Sequence, residues 1–144
     1  MSEVQALQTT LAAEHAVVYV LGVLGGQTSQ SANPALFTSL SETYATHRGR
    51  RDHLTRVLTD LGATPVPSEP AYDVPSDVGT PGAVTRQALA LERSCASTYA
   101  FLVGSTTDEL RAWAVRALQM TAVRELVFRG TPEMFPGKDE QADR

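Results

Sequence analysis

The sequence has little of what several large protein classes require. It holds one cysteine in 144 residues, which excludes a disulfide scaffold and a cysteine-rich zinc or iron–sulfur site. Its 12 basic residues are outnumbered by 16 acidic ones, so we expect neither nucleic acid nor a membrane surface as a partner. A hydrophobic share of 42% is too high for a disordered chain of this small net charge. One globular domain with a single core is therefore expected.

Targeting signals are also missing from the sequence. The N-terminus has no basic region followed by an apolar run, so it does not resemble a secretory signal. The most apolar stretch, Ala12 to Leu24, carries Glu14 and His15 and is short for a membrane span. These features predict a cytoplasmic protein without a membrane anchor, in which Cys95 is a reduced residue of the core.

Capping residues and a spacing of three to four between apolar residues predict four helices and no strand. A capping box at Ser2 opens the first helix, and the second and third begin at Asn-Pro and Thr-Pro pairs. Glycines are expected to end the first two helices in a left-handed conformation. The predicted limits are Ser2 to Leu24 with a cap at Gly25-Gly26, Asn33 to Leu61 ended by Gly62, Thr80 to Gly104, and Thr107 to Arg129.

The lengths of the connections predict the topology. Short links join the first helix to the second and the third to the fourth, which favours two antiparallel hairpins. The link between them, Ala63 to Gly79, contains four prolines and is long enough to cross the bundle. Two hairpins joined by one long crossover are typical of a ferritin-like four-helix bundle. We expect this domain to span residues 1–137, followed by a disordered tail at 138–144.

Ionisable residues interrupt the apolar stripe of every predicted helix. Counting from the hairpin turns places three of them, Glu14, His47 and Glu92, in one layer of the bundle. Arg50 and Arg124 are expected about one turn away. Buried ions must be paired, hydrogen-bonded or bound to metal, so this layer is the candidate site.

Short motifs give the chain a resemblance to a known family. They are Glu14-His15 with Tyr19, His47-x-x-Arg50-Arg51-Asp52, Ala71-Tyr72-x-x-Pro75, Glu92, Arg129-Gly130 and Phe135-Pro136-Gly137. The chain resembles a ferritin-like domain family of unknown function found in actinobacteria. The resemblance implies a four-helix ferritin-like domain without an established reaction, in a superfamily that includes di-metal carboxylate proteins.

The ligand pattern of those di-metal proteins is incomplete in this sequence. Glu14 and Glu92 match the lone glutamates of the first and third helices, and His47 matches the histidine of the second. Tyr44, however, stands where the second helix needs a glutamate, and the fourth helix has no histidine. We therefore expect no complete di-iron site, and no cofactor beyond a single Fe, Mn or Zn ion as an alternative.

Three interpretations of the polar layer remain open. In the first, Glu14 pairs with Arg50 and Glu92 pairs with Arg124, forming an ionic network without catalysis. In the second, a single metal ion binds to Glu14, His47 and Glu92, in a metal-binding protein or an oxidoreductase. In both, the hydroxyl groups of nearby tyrosines are expected to bond to the carboxylates; the candidates are Tyr19, Tyr44 and Tyr99.

The third interpretation is a non-catalytic interaction module, with a homodimer as the expected assembly. Trp113, Phe128 and Phe135 are the candidates for its contact face. The sequence contains no nucleophile constellation or phosphate-binding loop, so it names no catalytic residue and no small-molecule ligand.

Overall fold

Four α-helices make up the fold in the computed structural model, which describes residues 1–129. The helices are α1 (Glu3–Gly26), α2 (Pro34–Asp60), α3 (Pro81–Ser105) and α4 (Asp108–Arg129). No strand occurs within residues 1–129, so the predicted all-α four-helix bundle is confirmed. The expected domain end at residue 137, the tail at 138–144 and the Phe135-Pro136-Gly137 motif lie outside the described residues.

The predicted helix starts are confirmed to within a residue. Ser2 forms the expected capping box, in which the Gln5 amide donates to Ser2 Oγ at 3.2 Å and Ser2 N donates to Gln5 Oε1 at 2.8 Å. Thr80 Oγ1 accepts from the amide of Ala83 at the start of α3. Asn33 makes no side-chain cap bond, so the start of α2 depends on Pro34 at the first helical position.

Glycine ends α2 as predicted, but it does not end α1. Gly62 has φ +76°, its amide bonds to Thr59 O, and the next amide reaches Leu58 O, which together form a Schellman motif. The expectation for Gly25-Gly26 is wrong, because both glycines belong to α1 and Gln27 caps the helix in a right-handed conformation. The link of residues 27–33 still leaves seven residues for the turn after this extra half turn of helix.

Two antiparallel hairpins and one crossover form the bundle. Leu7, Leu54 and Leu102 share one apolar cluster, whereas Leu21, Leu40 and Val84 share another. These groupings place α2 antiparallel to α1 and parallel to α3, so residues 61–80 cross the length of the bundle. The side chain of Gln8 fixes the start of this crossover, donating to Thr64 O at 2.7 Å and accepting from the Val66 amide at 2.8 Å.

A polar layer divides the core into two apolar halves. The first half contains residues from the start of α1, the end of α2, the end of α3 and the start of α4. The second contains residues from the opposite ends of the same helices. Buried Glu14, His47, Arg50, Glu92 and Thr121 lie between the two halves. The sequence-based expectation of one ionic layer near mid-bundle is confirmed for the first three helices.

The α4 stripe differs from the prediction. The apolar spacing of Leu110, Trp113, Ala117, Met120 and Val127 predicts a core face through these residues, but Met120 and Val127 are 46% and 48% exposed. The inward face of α4 instead carries two alanines, two polar side chains and one aromatic residue: Ala114, Ala117, Thr121, Glu125 and Phe128. Because small residues allow close approach between helices, α4 packs Ala114 and Ala117 against its neighbours, while Met120, Val123 and Val127 lie toward solvent.

Of the four described helices, α1 alone is long and apolar enough to cross a membrane by length and composition. Half of its most apolar window is buried inside the bundle. Residues 12–24 are short for a membrane span, as the sequence indicates, but the whole 24-residue helix is not.

The two glycine environments predict opposite effects of alanine. Gly62→Ala is expected to lower the free energy of unfolding by about 1–2 kcal/mol, because a Cβ is disfavoured at positive φ. Gly25→Ala is expected to raise it by about 0.5–1 kcal/mol, because the residue is helical and its new Cβ meets nothing within 4 Å. Urea unfolding of both variants measures the difference. Equal effects at the two positions would contradict this assignment of the helix ends.

Candidate functional site

Three helices each contribute one fully buried ionisable side chain to the polar layer. Glu14 comes from α1, His47 from α2 and Glu92 from α3, and none is more than 1% exposed. Each continues the spacing of an apolar stripe, so burial of the neighbouring leucines and valines carries the charged group inward with them. The predicted co-location of these three residues is confirmed by their direct contacts.

His47 bridges the two carboxylates through both nitrogens of its ring. Nδ1 lies 2.7 Å from Glu14 Oε2, and Nε2 lies 2.8 Å from Glu92 Oε1. Since an ionised carboxylate only accepts hydrogen bonds, both ring nitrogens must donate, which requires the imidazolium form. Burial lowers the pKa of His47, but the charge of Glu14 and the hydrogen bonds to both carboxylates outweigh it and raise the pKa to about 9.

Tyr99 completes the hydrogen bonding of Glu14. Its hydroxyl donates to Glu14 Oε1 at 2.5 Å, so both oxygens of this carboxylate have a partner. Burial, together with the negative charge of Glu14, raises the pKa of Tyr99 well above its usual value and keeps the hydroxyl protonated. The expected tyrosine–carboxylate contact is confirmed for Tyr99.

The same expectation is wrong for Tyr19 and Tyr44. Tyr19 is 38% exposed and packs against Tyr72 of the crossover, with 5.6 Å between ring centroids. Tyr44 lies in the seam between α1 and α2, facing Gly22. Within residues 1–129, no hydrogen bond joins either tyrosine to Glu14 or Glu92. Both side chains leave their helices on the α1–α2 surface rather than in the core.

Arg50 is buried as predicted, but it does not pair with Glu14. Its guanidinium donates to Thr121 Oγ1 at 2.9 Å and to Ala117 O at 2.8 Å, which ties α2 to α4. The guanidinium carbon also lies 4.8 Å from the centroid of the Tyr99 ring. The predicted Glu14–Arg50 ion pair is therefore wrong, because His47 and Tyr99 already occupy both carboxylate oxygens.

Arg124 lies outside the polar layer. It bonds to Glu42 Oε2 at 3.1 Å, in a bridge between α4 and α2 whose glutamate side chain is 60% exposed. The predicted Glu92–Arg124 pair is wrong because the buried face of α4 is offset from the one read from the sequence. The buried ionisable residue of α4 is instead its neighbour Glu125. A stripe drawn through Ala114, Ala117 and Thr121 would have identified Glu125.

The aromatic residues predicted for a contact face differ in their burial. Phe128 is buried, and Trp113 packs edge-on against Tyr99 and beside the His53 ring. Phe135 lies outside the described residues. Phe128 does not fit this contact face, because its side chain is buried in the core, whereas a contact role for the half-buried Trp113 stays a prediction.

Three side chains at the layer are placed to share one metal ion. Donor atoms of His47, Glu92 and Cys95 all lie within 4.8 Å of one another, and all three residues are buried. Glu92 Oε2 is a buried oxygen without a hydrogen-bond partner among the described residues. Cys95, expected only as core, follows Glu92 by three residues and therefore shares its helix face.

The chemistry of these donors fits one ion rather than two. An imidazole, a carboxylate and a thiol form a mixed nitrogen, oxygen and sulfur set that suits zinc or iron. Burial, then the charges of Glu92 and Glu14, raise the pKa of the Cys95 thiol well above its usual value. Binding would therefore have to displace the thiol proton. A di-metal centre needs more carboxylate and imidazole ligands than this group supplies.

Comparison with known proteins identifies the family. A family model described as a domain of unknown function (DUF4439) matches residues 6–140. The chain belongs to this family. A similar solved structure is that of a conserved hypothetical protein, Rv2844, from Mycobacterium tuberculosis. It shares 26% identity at a TM-score of 0.80, and the match covers 89% of this chain and 88% of that chain.

These matches fit the predicted actinobacterial family of unknown function. The structural match also shows that a protein with a solved crystal structure has a similar fold. No curated protein matches the chain.

The imidazolium form of His47 predicts that stability falls as pH rises. The folded-state pKa of about 9 exceeds the unfolded value of 6.5, so the contribution is complete below pH 6.5 and is lost on rising through pH 9. The expected loss is about 3 kcal/mol over this interval. Urea unfolding across the pH range measures it, and the ring shifts of His47 in NMR spectra report the titration directly. His53 is the internal control, because burial and the charge of Arg56 lower its pKa. A titration of His47 at or below 6.5 would contradict the bridged geometry.

Removing Glu14 is expected to destabilise the bundle strongly. Glu14→Ala leaves the buried imidazolium and the Tyr99 hydroxyl short of an acceptor, at a cost of about 3–5 kcal/mol. Glu42→Ala is the matched control, since it breaks the partly exposed bridge to Arg124 and should cost less than about 1 kcal/mol. Thermal or urea unfolding compares the two variants. Similar losses would show that Glu14 is not a central partner of the layer.

Proposed function

We propose that this DUF4439 domain is a ferritin-like protein that binds a single divalent transition-metal ion at His47, Glu92 and Cys95. One observation carries the proposal: Glu92 Oε2 is buried without a hydrogen-bond partner among the described residues, beside an imidazole and a thiol. An unsatisfied buried carboxylate oxygen is costly, and a cation removes that cost. The two hairpins joined by one crossover support the ferritin-like assignment, since such bundles hold their metals on inward-facing side chains.

The contact between Glu14 and His47 supports the same proposal. Histidine ligands of metals usually donate their second ring N–H to a carboxylate, which fixes the tautomer and the orientation of the ring. Glu14 accepts from Nδ1 at 2.7 Å and is itself held by the Tyr99 hydroxyl. This arrangement leaves Nε2 as the ligand atom, on the side of Glu92 and Cys95. Glu14 is thus a positioning residue rather than the ligand expected from the sequence.

Protons and metal compete for this site. His47 has to release its Nε2 proton and Cys95 its thiol proton before either ligates, so affinity should rise with pH. A thiolate in the set favours zinc or iron over manganese. When bound, such an ion would supply Lewis acidity in a buried setting. Arg50, at hydrogen-bond distance from α4, adds fixed positive charge nearby. We assign no reaction to the site.

Metal content tests the proposal. We expect protein purified without a nickel column to retain about one zinc or iron ion per chain, measured by elemental analysis. Cobalt(II) added to the metal-free protein should produce a thiolate charge-transfer band that strengthens as pH rises. His47→Gln, Glu92→Gln and Cys95→Ala should each reduce the retained metal and weaken the cobalt band.

The matched control is His53→Gln, which removes an imidazole that packs on Trp113, away from the layer. This variant should retain the metal of the wild type. Wild-type protein that holds no metal and gives no cobalt band would disprove the metal site, and so would retention that the Glu92 and Cys95 variants leave unchanged.

One observation favours a second function, homodimerisation. The outer face of α4 exposes four aliphatic side chains along its C-terminal half, by 38–53% each: Met120, Val123, Leu126 and Val127. A continuous apolar helix face of this kind suits the two-fold contact of a homodimer, in which one patch meets its own copy.

Light scattering on a size-exclusion column tests this second function. We expect a wild-type dimer that Val123→Glu converts to a monomer, because the charge would be buried at the contact. Ala45→Glu, at an exposed position of α2, is the control and should leave the dimer intact. A wild-type chain that stays monomeric at high concentration would rule out this assembly.

A further inference from the structure

A cavity lies in the seam between α1 and α3, beside the polar layer. Its floor consists of buried side chains, among them Glu14, Cys95 and Tyr99. Its rim consists of half-buried and exposed residues, several of them small: Ala13, Ala16, Leu91, Ser94 and Thr98. The small rim residues hold the two helices close while leaving an opening between them.

The size of the cavity limits what it can hold. Its volume is about 160 Å³. Apolar cavities of about 150 Å³ bind benzene in other proteins, so this one has room for about six heavy atoms. It is too small for a nucleotide or a drug-sized cofactor.

The chemistry of the floor favours an uncharged occupant. Both oxygens of Glu14 already accept hydrogen bonds, one from His47 and one from Tyr99. An anion would face this carboxylate, and a cation would find it already compensated by the imidazolium. The remaining wall atoms are mostly aliphatic, with the Cys95 thiol and the Tyr99 ring as the only soft or aromatic surfaces among the buried lining residues.

The geometry points to the α1/α3 cavity as a binding site for a small, uncharged, largely apolar molecule of up to about six heavy atoms. The cavity adjoins the proposed metal group and shares Cys95 with it, so its occupant lies against one of the proposed ligands. The inference goes beyond metal binding and does not require it, because the cavity is lined by side chains alone.

NMR titration of the metal-free protein with benzene and with benzoate tests the inference. Benzene should cause saturable shifts of the amides that line the cavity, such as those of Val17, Leu91 and Ser94. Benzoate, of the same ring size but negatively charged, should cause none of these shifts. Working without metal keeps the result independent of the metal assay, so each proposal can fail alone.

Two filling variants and one matched control complete the design. Ala16→Leu fills the seam from α1 and Ser94→Leu fills it from α3, so each should abolish the benzene shifts. Ala12→Leu adds the same side chain at an exposed position of α1 and should preserve them. Circular dichroism checks the fold of each variant. If one filling variant is unfolded, the other serves as the test. Absence of benzene shifts in the wild type, shifts that survive in a folded filling variant, or benzoate binding as tight as that of benzene would each overturn the inference.

Discussion

The hydrogen bonds of one buried imidazolium organise this bundle. His47 on α2 needs a carboxylate at each ring nitrogen, and it finds one on α1 and one on α3. If α1 or α3 shifted along its axis, its carboxylate would move away from His47 and a charge would be left unpaired in the core. The two apolar clusters then close over the layer from either end, so packing and charge pairing fix the same relative positions of three helices.

The layer is arranged around a positive charge at its centre. In the metal-free protein that charge is the imidazolium of His47. Glu92 still has one oxygen without a hydrogen-bond partner among the described residues. A metal ion would use the same carboxylate and the same imidazole, with Glu14 and Tyr99 unchanged behind them. The proposed metal-bound and proton-bound forms therefore differ in the bound ion and in the protons of His47 Nε2 and Cys95 Sγ, rather than in the fold.

The sequence predicts most of the fold and about half of the site. Helix limits follow from local capping and turn chemistry, and Glu14, His47 and Glu92 follow from their places in clear apolar stripes. The α4 face could not be read in this way, because its larger aliphatic residues lie outside and its small ones inside. The partners of the charges could not be read either. An arginine and a histidine compete for the same carboxylates, and only three-dimensional distances decide between them.

The bonds of the polar layer also constrain how the chain folds. Its three contacts among Glu14, His47, Glu92 and Tyr99 join residues separated by 33, 45 and 85 positions. Two of the three connect the first hairpin to the second, so they form only after the crossover has brought both hairpins together. The chain loses the conformational entropy of closing such long loops before these contacts can contribute to stability. The layer should therefore slow unfolding more than it accelerates folding, so that a single buried charge sets the lifetime of the native state.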